Sequence, residues 1–238
     1  MRGGEDVKKF DVEKTLAYIR ALNRRSLRLR LADLLPRPPT IQLLHRIDIY
    51  DKNGKLVKTT GDMKSHSFVL QFLQMMEIHM AHAFGSNPDS IQVKDTGGIL
   101  RTWSYTSAQY LPYLFTTEAE ANNVEYGILV GTGTTTPAQD DYALETKILH
   151  GSTSGKLQYG ATVVNEAAIV GSNVDMVVTR TFINASGATI TIREVGLAVY
   201  ERWSGSTAYY FLWAHDSVNQ SVDNTYVAVV TYTLRTTV

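Results

Sequence analysis

The C-terminal half of the chain consists of short runs rich in β-branched and aromatic residues, separated by small turn residues. Such side chains fit the pleated surface of a sheet, and frequent turns favour antiparallel neighbours. We predict strands near 125–131, 157–164, 174–183, 188–200, 207–216 and 226–236, with Asn184-Ala-Ser-Gly187 as the turn between the third and the fourth. This spacing predicts a mainly β fold class, an antiparallel β-sandwich.

The last of these segments is apolar or β-branched on both faces. One face takes Tyr226, Ala228, Val230, Tyr232 and Leu234, and the other takes Val227, Val229, Thr231 and Thr233. A sheet with one solvated face alternates between apolar and polar residues, and this segment does not. We therefore expect a second layer or a neighbouring subunit to cover the outer face.

The segment 188–200 changes phase in its middle. Ile190 and Ile192 share one face of an ideal strand, whereas the opposite face takes Val195, Leu197 and Val199. A β-bulge near Arg193-Glu194 would bring all five to the core and turn the charged pair toward an edge or an interface. Gly196 would permit the close approach of another backbone. The alternative is a strand that is buried on both faces.

The N-terminal segment 1–40 is predicted to be a basic helical arm followed by a proline linker. Apolar residues recur at helical spacing over residues 5–35, and Pro36, Pro38 and Pro39 then end the helix. Its candidate interface or anchor residues are Arg20, Arg24, Arg25, Arg28 and Arg30. These arginines suit either the phosphates of a nucleic acid or the acidic surface of a neighbouring copy.

The charge of the chain is unevenly distributed. Residues 1–58 hold 14 of the 23 Lys and Arg and 7 of the 23 Asp and Glu, which leaves +7 there and −7 in the rest. A nucleic-acid-binding protein usually has a basic excess overall, whereas the formal net charge here is zero. The balance favours an acidic neighbour over nucleic acid as the partner of the arm.

Residues 41–123 are predicted to form an α+β portion of hairpins and one helix. Segments 41–50 and 55–59 flank Asn53-Gly54, a strong hairpin signal, and 91–103 predicts a second hairpin around residues 95–98. Residues 65–84 are apolar on most sides, which predicts one additional buried helix. With 124–238 as the sandwich portion, the chain has three parts, or two if 41–238 is a single domain.

The stretch Gly131-Thr-Gly-Thr-Thr-Thr-Pro137 looks like a phosphate-binding loop but lacks the residues that such a loop needs. A P-loop carries a lysine directly after its second glycine, and here the first lysine is Lys147. The dinucleotide pattern fails because residue 136 is threonine. We predict a structural corner instead, in which glycines bend the end of a strand. The corner residues are Gly131, Gly133, Pro137 and Leu144.

Candidate ligands and catalytic groups occur without a recognisable arrangement. Three histidines lie near Glu77, namely His66, His79 and His82, but they lack the His-Glu-x-x-His spacing of a zinc site. Cysteine, the other common zinc ligand, is absent. No Gly-x-Ser-x-Gly elbow occurs, and the acidic pairs are Asp140-Asp141, Glu118 with Glu120, and Asp216 with Asp223. We predict no catalytic residue, no cofactor and no metal. A sugar could still stack on Trp103, Trp203 or Trp213.

Membrane insertion and secretory export are not expected. The longest apolar run, residues 68–84, is broken by Gln71, Gln74, Glu77, His79 and His82. The N-terminus MRGGEDVKKF lacks the apolar core of a signal peptide.

Several blocks follow one another in the second half of the chain: Val130-Gly-Thr-Gly-Thr-Thr-Thr-Pro137, Asp140-Asp-Tyr-Ala-Leu-Glu145, Leu157-Gln-Tyr-Gly160, Arg180-Thr-Phe-Ile-Asn184, Ile192-Arg-Glu-Val-Gly-Leu197 and a terminal Val-Thr-Tyr-Thr-Leu. In this order they resemble structural proteins of tailed-bacteriophage particles, among them tail-fibre and tail-collar proteins. The resemblance covers residues 88–238 and leaves the arm and the predicted helix outside it.

The resemblance implies a non-enzymatic virion component assembled in the host cytoplasm. Its expected partners are further copies of itself, as a trimer or ring, and other virion proteins. The expected place is the tail, tail tip or fibre region, and the alternative is a decorating protein of the capsid surface. A nucleic-acid-binding protein using the arginine cluster is the alternative from another class.

Overall fold

A computed structural model describes residues 40–65, 68–81, 91–103, 116–202 and 207–237. These residues belong to one compact unit, Thr40–Val238. The predicted helix over 5–35 and the five arginines of the arm lie outside the described residues.

The described residues form twelve strands and one helix. The bounds are β1 Thr40–Tyr50, β2 Leu56–Thr59, β3 Met63–Lys64, α1 Leu70–Ala81, β4 Ile91–Lys94, β5 Leu100–Trp103, β6 Gly127–Gly131, β7 Gln158–Val164, β8 Ala168–Val170, β9 Asn173–Ile183, β10 Ile190–Arg202, β11 Ala208–Val222 and β12 Val227–Thr237. The mainly β prediction is confirmed, and the six strands predicted in the C-terminal half correspond to β6, β7, β9, β10, β11 and β12.

The strands form three sheets, and the paired strands in them are antiparallel. The first sheet has the order β2-β1-β12-β9-β7, with β3 beside β1 and β8 beside β9. The second has the order β11-β10-β6, and the third contains β4 and β5. Strand β1 pairs with β12 from Thr40–Thr237 to Tyr50–Val227. This pairing joins the segment 41–123 to the segment 124–238 within one sheet.

One buried apolar core contains side chains from the first and the second sheet. The first contributes Ile47, Phe182 and Val230, and the second contributes Ile128 and Val195, among others. These side chains are removed from water within one cluster, and such burial is the dominant favourable term in folding. On the opposite face of β12, Val227, Val229 and Thr233 remain half-buried. Cover by a neighbouring subunit stays a prediction.

The two predicted hairpins are confirmed, and their turns show why they form. Strands β1 and β2 flank a turn in which Gly54 adopts φ +78°, a left-handed conformation that glycine tolerates. The Asp51 carboxylate accepts hydrogen bonds from the amides of Asn53 and Lys55. Asp95 does the same for Gly97 and Ile99 in the β4–β5 hairpin. Asp or Asn at the start of a turn commonly binds its own backbone in this way.

The prediction of a buried helix is wrong for the described side chains of α1, residues 70–77. The helix begins at Leu70 rather than near residue 65 and extends to Ala81. Gln71 and Met75 are buried, whereas Leu70 is 50% exposed and Leu73 is 63% exposed. Residues four apart lie on one side of a helix, so contact with β11 and β4 covers Gln71 and Met75 together.

Strand β10 shows a shift in register where its sequence changes phase. Its pairing with β11 shifts between Ile192 and Glu194. The five apolar residues of the strand are all buried, with exposures of 6% or less for Ile190, Ile192, Val195, Leu197 and Val199. The expected position of Arg193-Glu194 at an edge or interface is wrong for Glu194. Strand β10 is the central strand of its sheet, and Glu194 is buried.

Candidate functional site

The Glu194 carboxylate is the centre of the corner that follows β6. Its Oε1 accepts hydrogen bonds from the Gly133 amide at 2.9 Å and the Thr146 amide at 2.8 Å. Its Oε2 accepts one from the Glu145 amide at 2.9 Å and lies 3.1 Å from Nε2 of His215. A buried carboxylate is stable only when such partners replace water. These bonds explain why Glu194 is buried rather than placed at an edge.

His215 links Glu194 to Asp141. Its Nδ1 lies 2.7 Å from Oδ2 of Asp141, and that oxygen also accepts a hydrogen bond from the Ala138 amide. Burial lowers the pKa of His215, but the hydrogen bonds with Glu194 and Asp141 outweigh burial, so the net pKa is raised. Burial likewise raises the pKa of Glu194, but the bonds from His215 and three amides outweigh it and lower the net pKa. The arrangement favours an imidazolium between two carboxylates.

The corner glycines lie where a side chain would not fit. A Cβ at Gly131 would meet the Glu194 carboxylate, and one at Gly133 would lie 2.6 Å from Cβ of Glu145. A Cβ at Gly196 would lie 2.9 Å from Leu144 Cδ2, because Leu144 packs on that glycine. The same Cβ would lie 3.0 Å from Leu212 Cδ1 and 3.2 Å from the backbone oxygen of Ala214, so two side chains and one backbone atom pack against Gly196. The structure brings Glu194 and Gly196 of the predicted bulge together with Gly131, Gly133 and Leu144 of the predicted corner. Arg193 is exposed.

The amides that a phosphate would need are already bonded within the corner. Gly133 donates to Glu194, and Thr134 and Thr135 both donate to the Glu145 carboxylate. A phosphate loop presents free amides to an anion, whereas this loop surrounds two carboxylates. Pro137 is half-buried between these bonds and the Ala138–Asp141 turn.

Arg180 is a buried residue that was missed from the sequence. It is 1% exposed, and its guanidinium donates five hydrogen bonds to the carbonyl oxygens of Gly160, Tyr126, Ile128, Glu120 and Asn123. Burial lowers its pKa to about 10. Its position between Val178 and Phe182 on the apolar face of β9 was the signal for a buried cation. The Arg180 side chain thereby bonds the segment before β6 to strand β9 of the first sheet.

A second buried polar network lies inside the core, around Asp216. Its Oδ2 accepts hydrogen bonds from the Ser65 hydroxyl at 2.7 Å and the Tyr232 hydroxyl at 3.0 Å, and lies 3.6 Å from Nδ1 of His45. Burial raises the pKa of Tyr232 well above its ordinary value. Serine, histidine and aspartate meet here, but His45 and Asp216 have side chains with 0% exposure. A substrate could not reach them without local opening.

The other sequence candidates are dispersed. Asp223 accepts a hydrogen bond from the Thr189 hydroxyl. Glu118 and Glu120 are exposed in the segment between Thr116 and β6. Side-chain surroundings of Trp103 and His79, and the positions of His66, His82 and Trp203, lie outside the described residues. Within the described ranges, no group of three or more His, Asp or Glu could hold a metal ion. In the same part of the chain, no helix is long and apolar enough to span a bilayer.

An open cleft of about 490 Å³ lies between side chains of the two larger sheets. The apolar lining includes Val164, Met176 and Val178 from the first sheet and Leu197 and Trp213 from the second. Trp213 is held by a contact of its Nε1 with the Met75 sulfur at 3.3 Å and by an edge contact with Phe72. The rim of the cleft carries Glu118 and Glu166, which are both exposed.

The apolar surface continues from this cleft to the end of the first sheet. Val174 lies two residues from Met176 on the same face of β9 and is 37% exposed. Its register partners across the sheet are Ile169 on one side and Thr236, followed by Ile41, on the other. Ile169 is 82% exposed and Ile41 is 73% exposed. We call this row, Ile41, Thr236, Val174 and Ile169, the apolar ladder.

Comparison with known proteins finds no match for this chain among protein-family models, curated proteins or solved structures.

Proposed function

We propose that the chain is a non-enzymatic structural component of a tailed-phage particle. The first and second sheets are the two layers of a β-sandwich, and copies associate through exposed parts of these sheets as a trimer or ring. The N-terminal arm anchors each copy to a neighbour or to other virion proteins. The proposed place is the tail, tail tip or fibre region.

The observation that carries this proposal is the convergence of the resembling blocks. The Gly-Thr-Gly block, the Asp-Asp-Tyr-Ala-Leu-Glu block and the Arg-Glu-Val-Gly-Leu block meet around Glu194, and the Arg-Thr-Phe-Ile-Asn block contributes Arg180 to the core. In each case the conspicuous residue bonds to the protein's own backbone or side chains. The blocks therefore support a rigid scaffold, as expected for a virion component.

Exposed apolar side chains support self-association. Ile41, Val174 and Ile169 of the ladder are exposed to water next to the apolar cleft. An exposed apolar patch of this kind usually marks an interaction surface. Closed symmetry lets identical copies cover such surfaces without forming open fibres.

Purified particles provide the test. Phage particles from the culture that carries the coding sequence are banded by density, analysed by mass spectrometry, and labelled with an antibody to this chain for electron microscopy. We expect the chain at a fixed copy number and label at the tail. Label on the capsid surface would support the decorating alternative, and absence from particles together with a strictly monomeric chain in light scattering would refute the proposal.

A further inference from the structure

The cleft and the apolar ladder form one surface with a defined chemistry. We propose that this surface receives the N-terminal segment, residues 1–39, of a neighbouring copy. The inference rests on the proposed function and deepens it, because it names the partner of one surface.

The surface is apolar along its floor and acidic at its rim. Met176, Val178 and Leu197 line the floor, and Glu118 and Glu166 lie exposed beside it. Among the described residues that line the cleft, none is basic. An occupant that carries apolar side chains with cationic neighbours would cover the floor and pair with the rim.

The N-terminal segment has this chemistry. Residues 1–39 contain 10 Lys and Arg against 5 Asp and Glu, and apolar residues recur there at helical spacing. Arg24 and Arg28 are four apart and would share one side of the predicted helix, from which they can reach two acidic rim residues. An amphipathic helix in an apolar groove is a common mode of peptide recognition.

The chain leads from this segment directly to the ladder. Thr40 is the first residue of β1, and Ile41, a ladder residue, follows it. The sequence Pro36-Arg37-Pro38-Pro39 predicts an extended, stiff linker between the predicted helix and β1. Such a linker does not favour a tight reversal, so the helix is directed to a second copy and the surfaces of successive copies are linked in a ring.

Disulfide trapping tests the contact in the full chain, which has no cysteine of its own. Leu27→Cys is made in an isotope-labelled chain and Ala167→Cys in an unlabelled chain, and the two are mixed and oxidised gently. The control pairs Leu27→Cys with Ser152→Cys, an exposed position that does not line the cleft. We expect about tenfold more labelled-to-unlabelled disulfide at residue 167 than at residue 152, because docking raises the effective concentration.

Charge reversal provides a second, independent measurement. Glu118→Lys with Glu166→Lys should weaken self-association about tenfold in sedimentation, since like charges then face each other. Adding Arg24→Glu with Arg28→Glu to the same chain should restore it. The control is Glu77→Lys with Asp140→Lys, which reverses two exposed acids outside the cleft and should leave association unchanged.

The outcomes separate this inference from the proposed function. Equal disulfide yields at residues 167 and 152, or a disulfide that forms only within one chain carrying both Leu27→Cys and Ala167→Cys, would overturn the inference. Chains that still assemble and enter particles would then leave the proposed function intact. A monomeric chain that is absent from particles would remove both.

Discussion

At the residue scale, stability depends on buried charges whose partners are mostly backbone groups. Glu194 binds three amides and Arg180 binds five carbonyls. Hydrogen bonds to charged groups are worth more than neutral ones, and the loss of one partner leaves the others buried and unsatisfied. Single substitutions at these residues should therefore be costly out of proportion to their volume.

Arg180→Met provides the first prediction. Methionine fills similar space but donates nothing, so five buried carbonyls lose their donor, and we expect the free energy of unfolding to fall by about 3–5 kcal/mol. Lys58→Met is the matched control on the same sheet, because Lys58 is an exposed cation of strand β2; it should change stability by less than about 0.5 kcal/mol. Chemical denaturation measures both. Equal losses would show that Arg180 has no special role.

Glu201 provides the second prediction, because one of its carboxylate oxygens is buried without a hydrogen-bond partner. Glu201 is 7% exposed, its Oε2 accepts no hydrogen bond from the described residues, and burial raises its pKa from 4.5 to about 8. Between pH 4.5 and about pH 8, Glu201 therefore keeps its proton in the folded state but loses it in the unfolded state. The stability that this proton contributes is lost as the pH rises from 4.5 through 8.

Glu201→Gln should remove this dependence on pH. We expect the variant and the parent to unfold at similar temperatures near pH 5 and the variant to be more stable at pH 9, by an amount on the order of a few kcal/mol. Calorimetry across this range is the measurement. A constant difference between the two proteins at all pH values would contradict the assignment.

His215→Gln should be compared in the Glu201→Gln background. The raised pKa of His215 gives the folded state stability that is lost as the pH rises above 6.5.

At the element scale, the loop after β6 is held in place by two carboxylates, Glu145 within the loop and Glu194 on β10. Glu145 binds the amides of Thr134 and Thr135, and Glu194 binds both ends of the loop. Leu144 then lies on Gly196. The loop therefore covers Glu194 and Gly196 of β10.

Gly133→Ala tests this arrangement. The added methyl would meet the Glu145 side chain and the Glu194 carboxylate at 2.6 Å, so the loop must shift and lose hydrogen bonds, at a cost of about 1–3 kcal/mol. Thr134→Ala is the control, because that side chain is exposed and only its backbone amide is bonded. It should change stability by less than about 0.5 kcal/mol. Thermal unfolding of both variants decides between a packed corner and a loose loop.

At the scale of the whole molecule, the first sheet leaves apolar side chains in water at the end next to the cleft. Residues 1–58 carry +7 and the remainder carries −7, so a copy presents complementary charge to another copy. Salt screens the attraction between exposed charges that lie farther apart than the Debye length, which is about 10 Å at 0.1 M and about 3 Å at 1 M. Association that uses this charge must weaken with salt.

Sedimentation of the full chain at low and high salt gives the fourth prediction. We expect oligomers at 0.1 M sodium chloride and a shift toward smaller species at 1 M, because screening would remove the attraction that we propose between the arm of one copy and the body of another. Apolar contacts alone would strengthen or stay constant under the same change. A salt-independent oligomer would show that the charge division has no part in assembly, and Ile169→Ser would then test the ladder on its own.

Local patterns in the sequence determined the strands of the C-terminal half, both hairpins and the phase change in β10, because each follows from side-chain periodicity or from turn residues over a few positions. They did not reveal β8, the polar end of β11 or the exposed side of α1, whose states depend on what packs against them. Periodicity also failed at Glu194 and Arg180. A charged residue in a strand normally indicates solvent, and only the tertiary structure supplies the amides and carbonyls from distant segments that replace water. The same reason explains the cleft: its floor comes from strands far apart in sequence, and their proximity is decided by how the sheets pack.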